Sequence, residues 1–364
     1  MKDTYADSTT KTMISQMHKF VAFLTRYRLL NPSNSITNPI TIPTITPTHL
    51  IFLMGYLEQA GHTTYESISK YCSAVRIWCR SQGRPDPGID QNTGETDLQY
   101  YAYNRAMKRA LAQPATKRQP LTLHQLDLLM RQTRFGLVLT PTANTNTRAA
   151  ILMAFYLMLR ISEYTTPTQE SHTPGTTASR GDIEFFPNQE RPEGFTFTVL
   201  KSKTDQFRVG RKLTVYAQPE PNLCPVRAMK YLFHSQPAPA SAPLFNFGSK
   251  LNPNASRTKF TACFVTLLKA AGIDTNTTKP HSLRSGGATA LLAAGVEPYV
   301  IQKLGRWASW CFATYTQLTT GVIRASQRAM TLAPRFTQGI NLTAVTDKIT
   351  TEDAGRASRY GGSH

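Results

Sequence analysis

The stretch KPHSLRSGGATALLAAGVEPYVIQKLGRWASWCFATY, residues 279–315, decides how the rest of the chain is read. It sets His281 and Arg284 on one turn at the start of an apolar helical run, and it ends in Tyr315 on a further helix. Residues three apart on a helix share a face, so both side chains can address one anion. A histidine and an arginine joined by a tyrosine suit attack on a phosphodiester, with the phenol oxygen as nucleophile and guanidinium forks on the phosphate oxygens. Taken alone, an HxxR pair is in most helices a cap or a surface pair. The residues that follow it carry the functional reading.

Those residues are HSLRSG (281–286), LGRW (304–307) and ATY (313–315), with Tyr315 nine positions after Arg306. Together they resemble the C-terminal box of the tyrosine recombinases, the phage integrase family. The GRWAS…F..Y form is similar to recombinases of eukaryotic mobile elements, the Crypton and DIRS-like groups. The resemblance implies a mainly α fold with a small antiparallel β-sheet (α+β), in which a helical DNA-binding domain precedes the catalytic domain. It also implies an arginine inside a buried helix upstream and a lysine on a β-hairpin.

Composition points the same way. The 364 residues suffice for two domains. Forty-one Lys and Arg against 22 Asp and Glu give a formal charge of +19, a surplus that favours a polyanionic partner over a merely soluble basic protein. No apolar run approaches the ~20 residues of a membrane span, and MKDTYADSTT lacks the apolar segment of a signal peptide. Cys72, Cys79, Cys224, Cys263 and Cys311 lie mostly in apolar helical patterns without zinc spacing, and read as reduced thiols of an intracellular protein.

Along the chain, Met13, Met17, Phe20 and Leu24 form one face of a helix over residues 9–29. Residues 31–47, rich in Pro and Thr, read as a loop or extended connection. Thr48 is expected to cap a second helix, with Leu50, Leu53, Met54 and Leu57 buried and Gly61 at its end. A third helix over 65–81 buries Ile68, Cys72, Val75 and Cys79 and leaves Lys70, Arg76 and Arg80 outside that stripe. A fourth, over 98–112, gathers Arg105, Lys108 and Arg109 near its end. Single charges of this kind usually face solvent, but as a set, with Lys117 and Arg118 in QPATKRQPLT, they suit the DNA backbone. The expected division is a helical core-binding (SAM-like) domain at 1–113, a linker at 114–120, a catalytic domain at 121–338 and a flexible tail at 339–364.

The second domain opens with a helix near Thr122. A run over 147–164 then turns Ile151, Ala154, Phe155 and Met158 inward and is interrupted by Arg160. A buried arginine needs an anion or several acceptors. A salt bridge to Glu163 would suffice structurally, yet LRISE (159–163) resembles the first box of the family, where the glutamate braces a phosphate clamp. Strand patterns follow at 182–186, at 195–200 with Phe195, Phe197 and Val199 on one face, and at 207–215. KSKTDQ between the last two reads as a hairpin tip, and by resemblance Lys203, rather than Lys201, is the lysine that reaches the DNA. Cys224-Pro225 starts another helix, with the proline at a tolerated early position.

The resemblance then implies the chemistry. Tyr315 attacks the phosphorus, and Arg160 and Arg284 hold the non-bridging oxygens. His281 accepts the phenolic proton or bonds the phosphate, and Lys203 protonates the departing 5′ oxygen. Many family members carry a histidine directly after the glycine of the box. That position is Arg306 in this chain, and Trp307, whose indole N–H can donate, is preferred over Arg306 for the role. No cofactor or metal is expected. The implied partners are duplex DNA, at element termini and target, and further copies of the chain, two on a site and four in the synapse. Localisation would be nuclear for a eukaryotic element and cytoplasmic, nucleoid-associated, otherwise. A recombinase-derived DNA-binding protein without catalysis and a type IB topoisomerase are the alternatives. The intact residue set opposes the first, and the separate N-terminal domain and box order oppose the second. After Tyr315 a helical pattern is expected to about Met330, and Leu332 and Phe336 could fill a partner's groove.

Overall fold

A computed structural model describes residues 7–32, 40–112, 118–136, 138–167, 171–200, 210–307, 313, 323–324 and 327–328. The chain divides into two compact units, Met1–Lys117 and Arg118–His364. Among the described residues no helix is long and apolar enough to cross a membrane.

The first unit holds helices α1 (Asp7–Arg26), α2 (Pro47–Gln59), α3 (Tyr65–Ser81) and α4 (Leu98–Ala110), with a short antiparallel pair, β1 (Asn31–Pro32) and β2 (Ile40–Thr41). α1 packs on α3, and α2 on α3 and α4. The apolar stripes close on one another: Phe20, Phe23 and Leu24 meet Leu50, Leu53, Leu57, Ile68 and Cys72 in one cluster. Each such side chain taken wholly out of water contributes roughly 1.5–3 kcal/mol. Helix α2 starts before the expected Thr48. Its N-cap is Thr46, because Pro47 suits the first helical position, where no N–H is needed, and the Thr46 N–H donates to His49 Nδ1 at 3.2 Å.

In the second unit, α5 (Leu123–Phe135) is followed by α6 (Pro141–Tyr156), a three-stranded sheet, and helices α7 (Pro225–Ser235), α8 (Arg257–Ala270), α9 (His281–Ala293) and α10 (Pro298–Gly305). The sheet is an antiparallel meander of β3 (Ile183–Phe186), β4 (Gly194–Val199) and β5 (Arg211–Tyr216). Phe195 pairs with Val215 and Phe197 with Leu213, and the alternation buries Phe195, Phe197 and Val199 on one face. The expected helix-rich fold with a small antiparallel sheet is the one found. Thr122 caps α5 reciprocally with Gln125, its hydroxyl accepting from Gln125 N at 3.2 Å and its N–H donating to Gln125 Oε1 at 3.0 Å.

Helix α6 is the axis of this unit. It packs against α5, α7, α8 and α9, and its residues from Ala149 to Phe155 are all buried, as a helix apolar all round must be. Arg148 is half-buried with both terminal nitrogens bonded: Nη1 reaches Met130 O and Thr133 Oγ1, both at 2.8 Å, and Nη2 reaches Asn222 O at 2.7 Å. The helix ends at Tyr156, eight residues before the end of the apolar run at Tyr164. Met158 turns left-handed at φ 45°, and a short 3₁₀ turn, Ile161–Glu163, follows with Arg160 as its N-cap. Arg160 therefore lies beyond the helix and not inside it, a correction to the sequence expectation.

Helix α9 can reach that turn because of two glycines. A Cβ on Gly286 would strike the Leu121 carbonyl oxygen, and one on Gly287 would strike the Phe155 carbonyl oxygen and Met158 Cγ. Gly287→Ala is therefore expected to push α9 off the end of α6. It should destabilise the unit by ~1–3 kcal/mol, the usual range for overpacking, lowering the thermal midpoint. An unchanged midpoint would show that this close approach is not what seats α9.

Candidate active site

The first turn of α9 delivers His281 and Arg284 to the turn that follows α6. Arg284 is 1% exposed. It donates to the Met158 carbonyl and, at 2.6 Å, to the Gly305 carbonyl at the end of α10, while its guanidinium lies 4.4 Å from the centre of the Trp307 ring. A buried guanidinium needs several acceptors, and the left-handed turn at Met158 supplies one of them. Arg306, the C-cap of α10, is itself left-handed at φ 61°. That conformation returns its side chain to the same place, where Nη2 donates to Met158 O and to Glu163 Oε2, each at 3.0 Å.

Glu163 is the carboxylate at the centre. Its Oε2 also accepts from the Arg160 backbone N–H at 2.9 Å, and its Oε1 from Arg160 Nη1 at 3.1 Å. One buried acid thus pairs with Arg160 and Arg306, and Arg284 joins them through the Met158 carbonyl that it shares with Arg306. The surplus is visible in hydrogen bonding, since Nε and Nη1 of Arg306 are buried without a hydrogen-bond partner. Burial lowers the Arg306 pKa; Glu163 acts against this, whereas Arg160 and Arg211 add to it. Burial likewise lowers the pKa of His281, with the positive charges of Arg284, Arg118 and Arg160 pushing the same way. The arrangement is a surplus of positive charge beside an imidazole held neutral, suited to a phosphodiester monoanion or the pentavalent phosphorane formed from it.

The remaining sequence candidates are placed as follows. Trp307 is 7% exposed and packs in a small cluster with Met158, Ala288 and Ile301. Its ring lies where a Gly305 Cβ would stand. Lys203 at the hairpin tip, Tyr315, Lys117 and the residues around Leu332 and Phe336 lie outside the described residues. In the first unit Lys70, Arg80, Arg105, Lys108 and Arg109 are exposed. Arg76 is not available as expected: Nε and Nη2 fork on Asp86 at 2.7 and 3.1 Å, and the guanidinium sits 5.8 Å from the centre of the Tyr100 ring. Sequence reasoning missed Arg211 at the start of β5. Its signal was the basic pair Arg211-Lys212 just past the hairpin tip. Arg118, expected only as a DNA contact, acts on His281. Among the described residues no group of three His, Cys, Asp or Glu side chains could hold a metal ion.

The sequence model of the phage integrase family matches residues 221–320, a range that runs from the start of α7 through the HxxR helix and past Tyr315. This stretch matches the phage integrase family. Arg160 and Glu163 lie upstream of the matched range. No curated protein sequence matches the chain. Solved integrases share its fold. The Tn1549 transposon integrase in complex with transposon right end DNA superposes with a TM-score of 0.54 at 14% identity, over 91% of this chain and 96% of that one. A lambda integrase dimer bound to a COC′ core site gives 0.52 at 14% identity, over 86% and 73%. The XerH site-specific recombinase bound to difH gives 0.51 at 12%, over 88% and 78%.

The lowered pKa of His281 has a pH consequence. A histidine held neutral in the folded state binds fewer protons than in the unfolded chain once pH falls into the ordinary histidine range. Folding stability should therefore decline as pH drops through that range. His281→Gln should flatten this decline in denaturation midpoints measured between about pH 7 and pH 5. An unchanged slope would mean that other groups set it.

Proposed function

We propose that the chain is a DNA strand transferase, a site-specific recombinase that cuts and rejoins duplex DNA through a 3′-phosphotyrosine intermediate. The observation that carries this reading is the gathering of three arginines at the turn after α6, Arg160 and Arg306 on the Glu163 carboxylate and Arg284 and Arg306 on the Met158 carbonyl, with His281, its pKa lowered by burial and by these charges, on the same turn of α9 as Arg284. In the proposed reaction the Tyr315 phenol oxygen forms a bond to the scissile phosphorus, and the bond from phosphorus to the 5′ oxygen breaks. His281, neutral and therefore able to accept, takes the phenolic proton or donates to the phosphate. Lys203 protonates the departing 5′ oxygen. The arginines meet the charge that accumulates on the non-bridging oxygens, a contribution worth ~10²–10³ in rate per donor in comparable sites. Arg306, whose Nε and Nη1 are buried without a hydrogen-bond partner, is assigned the position beside the phosphate, and Trp307, whose ring lies 4.4 Å from the Arg284 guanidinium, is assigned to holding Arg284 in place.

A 5′ hydroxyl from another strand can reverse the attack on the phosphotyrosine ester, so cutting becomes strand exchange with no nucleotide triphosphate. The proposed biological setting is integration or excision of a mobile element, in the nucleus where the host is eukaryotic. Two protomers would occupy each site and four the synapse. The first unit would hold the duplex through Lys70, Arg80, Arg105, Lys108 and Arg109, whose exposed charges suit phosphate neutralisation. Arg76 is assigned to the fold of that unit instead.

The test is incubation of the protein with an element-end duplex nicked close to the cleavage point, so that the short 5′-hydroxyl strand diffuses away. A covalent adduct resistant to SDS is expected, equally with and without EDTA. An adduct that forms only with magnesium would overturn the metal-free mechanism.

A further inference from the structure

A second feature of the catalytic unit lies at the opposite end of α6. A cavity of about 940 Å³ is lined by the first turns of α6, at Thr142 and Thr145, and by Arg180, Lys250 and Tyr231. Helix α6 runs 16 residues from Pro141 to Tyr156, so the cavity lies about 24 Å along the axis from the arginine cluster, at 1.5 Å per residue. Arg180 is 6% exposed, and its Nε and Nη1 are buried without a hydrogen-bond partner. Its backbone is fixed by an N–H to the Ala242 carbonyl at 2.9 Å. The guanidinium rests 4.6 Å from the centre of the Phe233 ring, a contact that offsets part of its desolvation. Among the described residues no Asp or Glu lines the cavity, and burial pushes the Arg180 pKa down to about 10. Most buried donors in folded proteins are paired, and a buried charge without a partner is costly. The cavity also receives the N-terminal end of a long helix, which favours negative charge.

We propose that this cavity is a second binding site, for a phosphorylated small molecule of nucleotide size. The phosphate would sit between the Arg180 guanidinium and the first turn of α6, with Lys250, exposed at the rim, drawing it in. The volume lies in the ~300–1,000 Å³ range of small-molecule pockets, larger than an inorganic anion needs. Tyr231, 60% exposed, presents a ring face on which a base can stack. Arg180 is too enclosed to meet the backbone of a duplex, which separates this site from the DNA-facing charges.

Calorimetric titration of the full chain with inorganic phosphate and with AMP tests the proposal. Both should bind, AMP more tightly, and Arg180→Met should lose at least about tenfold in affinity, the size expected for charge-assisted hydrogen bonds. Phosphate bound at the Arg160–Arg284–Arg306 cluster is unaffected by that substitution, so only the component lost in Arg180→Met is counted. Methionine keeps a contact with Phe233 and removes an unpaired charge. Should the variant nevertheless fail to fold, Lys250→Glu on the surface should weaken AMP binding several-fold at low ionic strength. An excess of duplex DNA should leave that AMP binding unchanged. The proposal is overturned by absence of binding, by wild-type affinity in Arg180→Met or, where that variant is not recovered, in Lys250→Glu, or by displacement of AMP by the duplex.

Discussion

Tyr315→Phe is expected to bind its DNA site as the unaltered chain does and to form no covalent adduct. The substitution deletes one oxygen and leaves the ring, so the surfaces that meet the duplex are unchanged. The oxygen removed is the nucleophile of the proposed reaction, and no other group is assigned to replace it. Gel shift and denaturing electrophoresis of the same samples separate the two quantities. An SDS-resistant adduct formed by the Phe variant would remove Tyr315 from its role.

Arg284→Ala should have the next largest effect, and on two quantities. The side chain is 1% exposed and joins the turn after α6 to the end of α10 through the Met158 and Gly305 carbonyls. Its removal leaves both carbonyls unpaired by it and Trp307 without its stacking partner. A destabilisation of roughly 1.5–3 kcal/mol for each charged hydrogen bond lost is expected, against a total of ~5–15 kcal/mol for a domain. Cleavage by the folded fraction should fall by ~10²–10³ or more. Arg284→Lys restores a charge but not the fork, since an ammonium cannot reproduce two planar donors at fixed spacing. It should recover part of the stability in urea denaturation and little of the single-turnover cleavage. Near-normal cleavage by the Lys variant would count against a phosphate-clamping role.

The features read from the sequence succeeded where the signal was local. Phe195, Phe197 and Val199 alternate, and alternation is enough to assign a buried strand face. Thr122 with Gln125 announces a helix start by a chemistry that spans three residues. His281 and Arg284 share a turn, so their proximity follows from helix geometry alone. The misreadings at Arg160 and Arg76 have one physical cause, which is that the deciding partner lies outside the local sequence window, whereas the Thr48 cap was displaced by its own neighbour Pro47. Nothing in MLRISEY marks the end of α6, because Met158 takes a left-handed conformation with no glycine. The conformation is held in place by Arg284 and Arg306, which lie more than a hundred residues away and bond its carbonyl. Arg76 reads as a free surface charge until the loop after α3 folds back and presents Asp86. The pairing of Arg306 with Glu163 was likewise not legible, because the left-handed backbone that turns its guanidinium there leaves no trace in the residue type.

The most direct measurement of the central claim is mass spectrometric mapping of the residue joined to DNA. After adduct formation on the nicked duplex, trypsin cuts at Arg306 and Arg324 and releases residues 307–324, a peptide whose only tyrosine is Tyr315. The account predicts a 3′-phosphonucleotide on that peptide, attached through the tyrosine oxygen, with a free 5′ hydroxyl on the departing strand. Attachment to a different peptide, such as the one bearing the exposed Tyr299, or linkage through a 5′ phosphate, would contradict it.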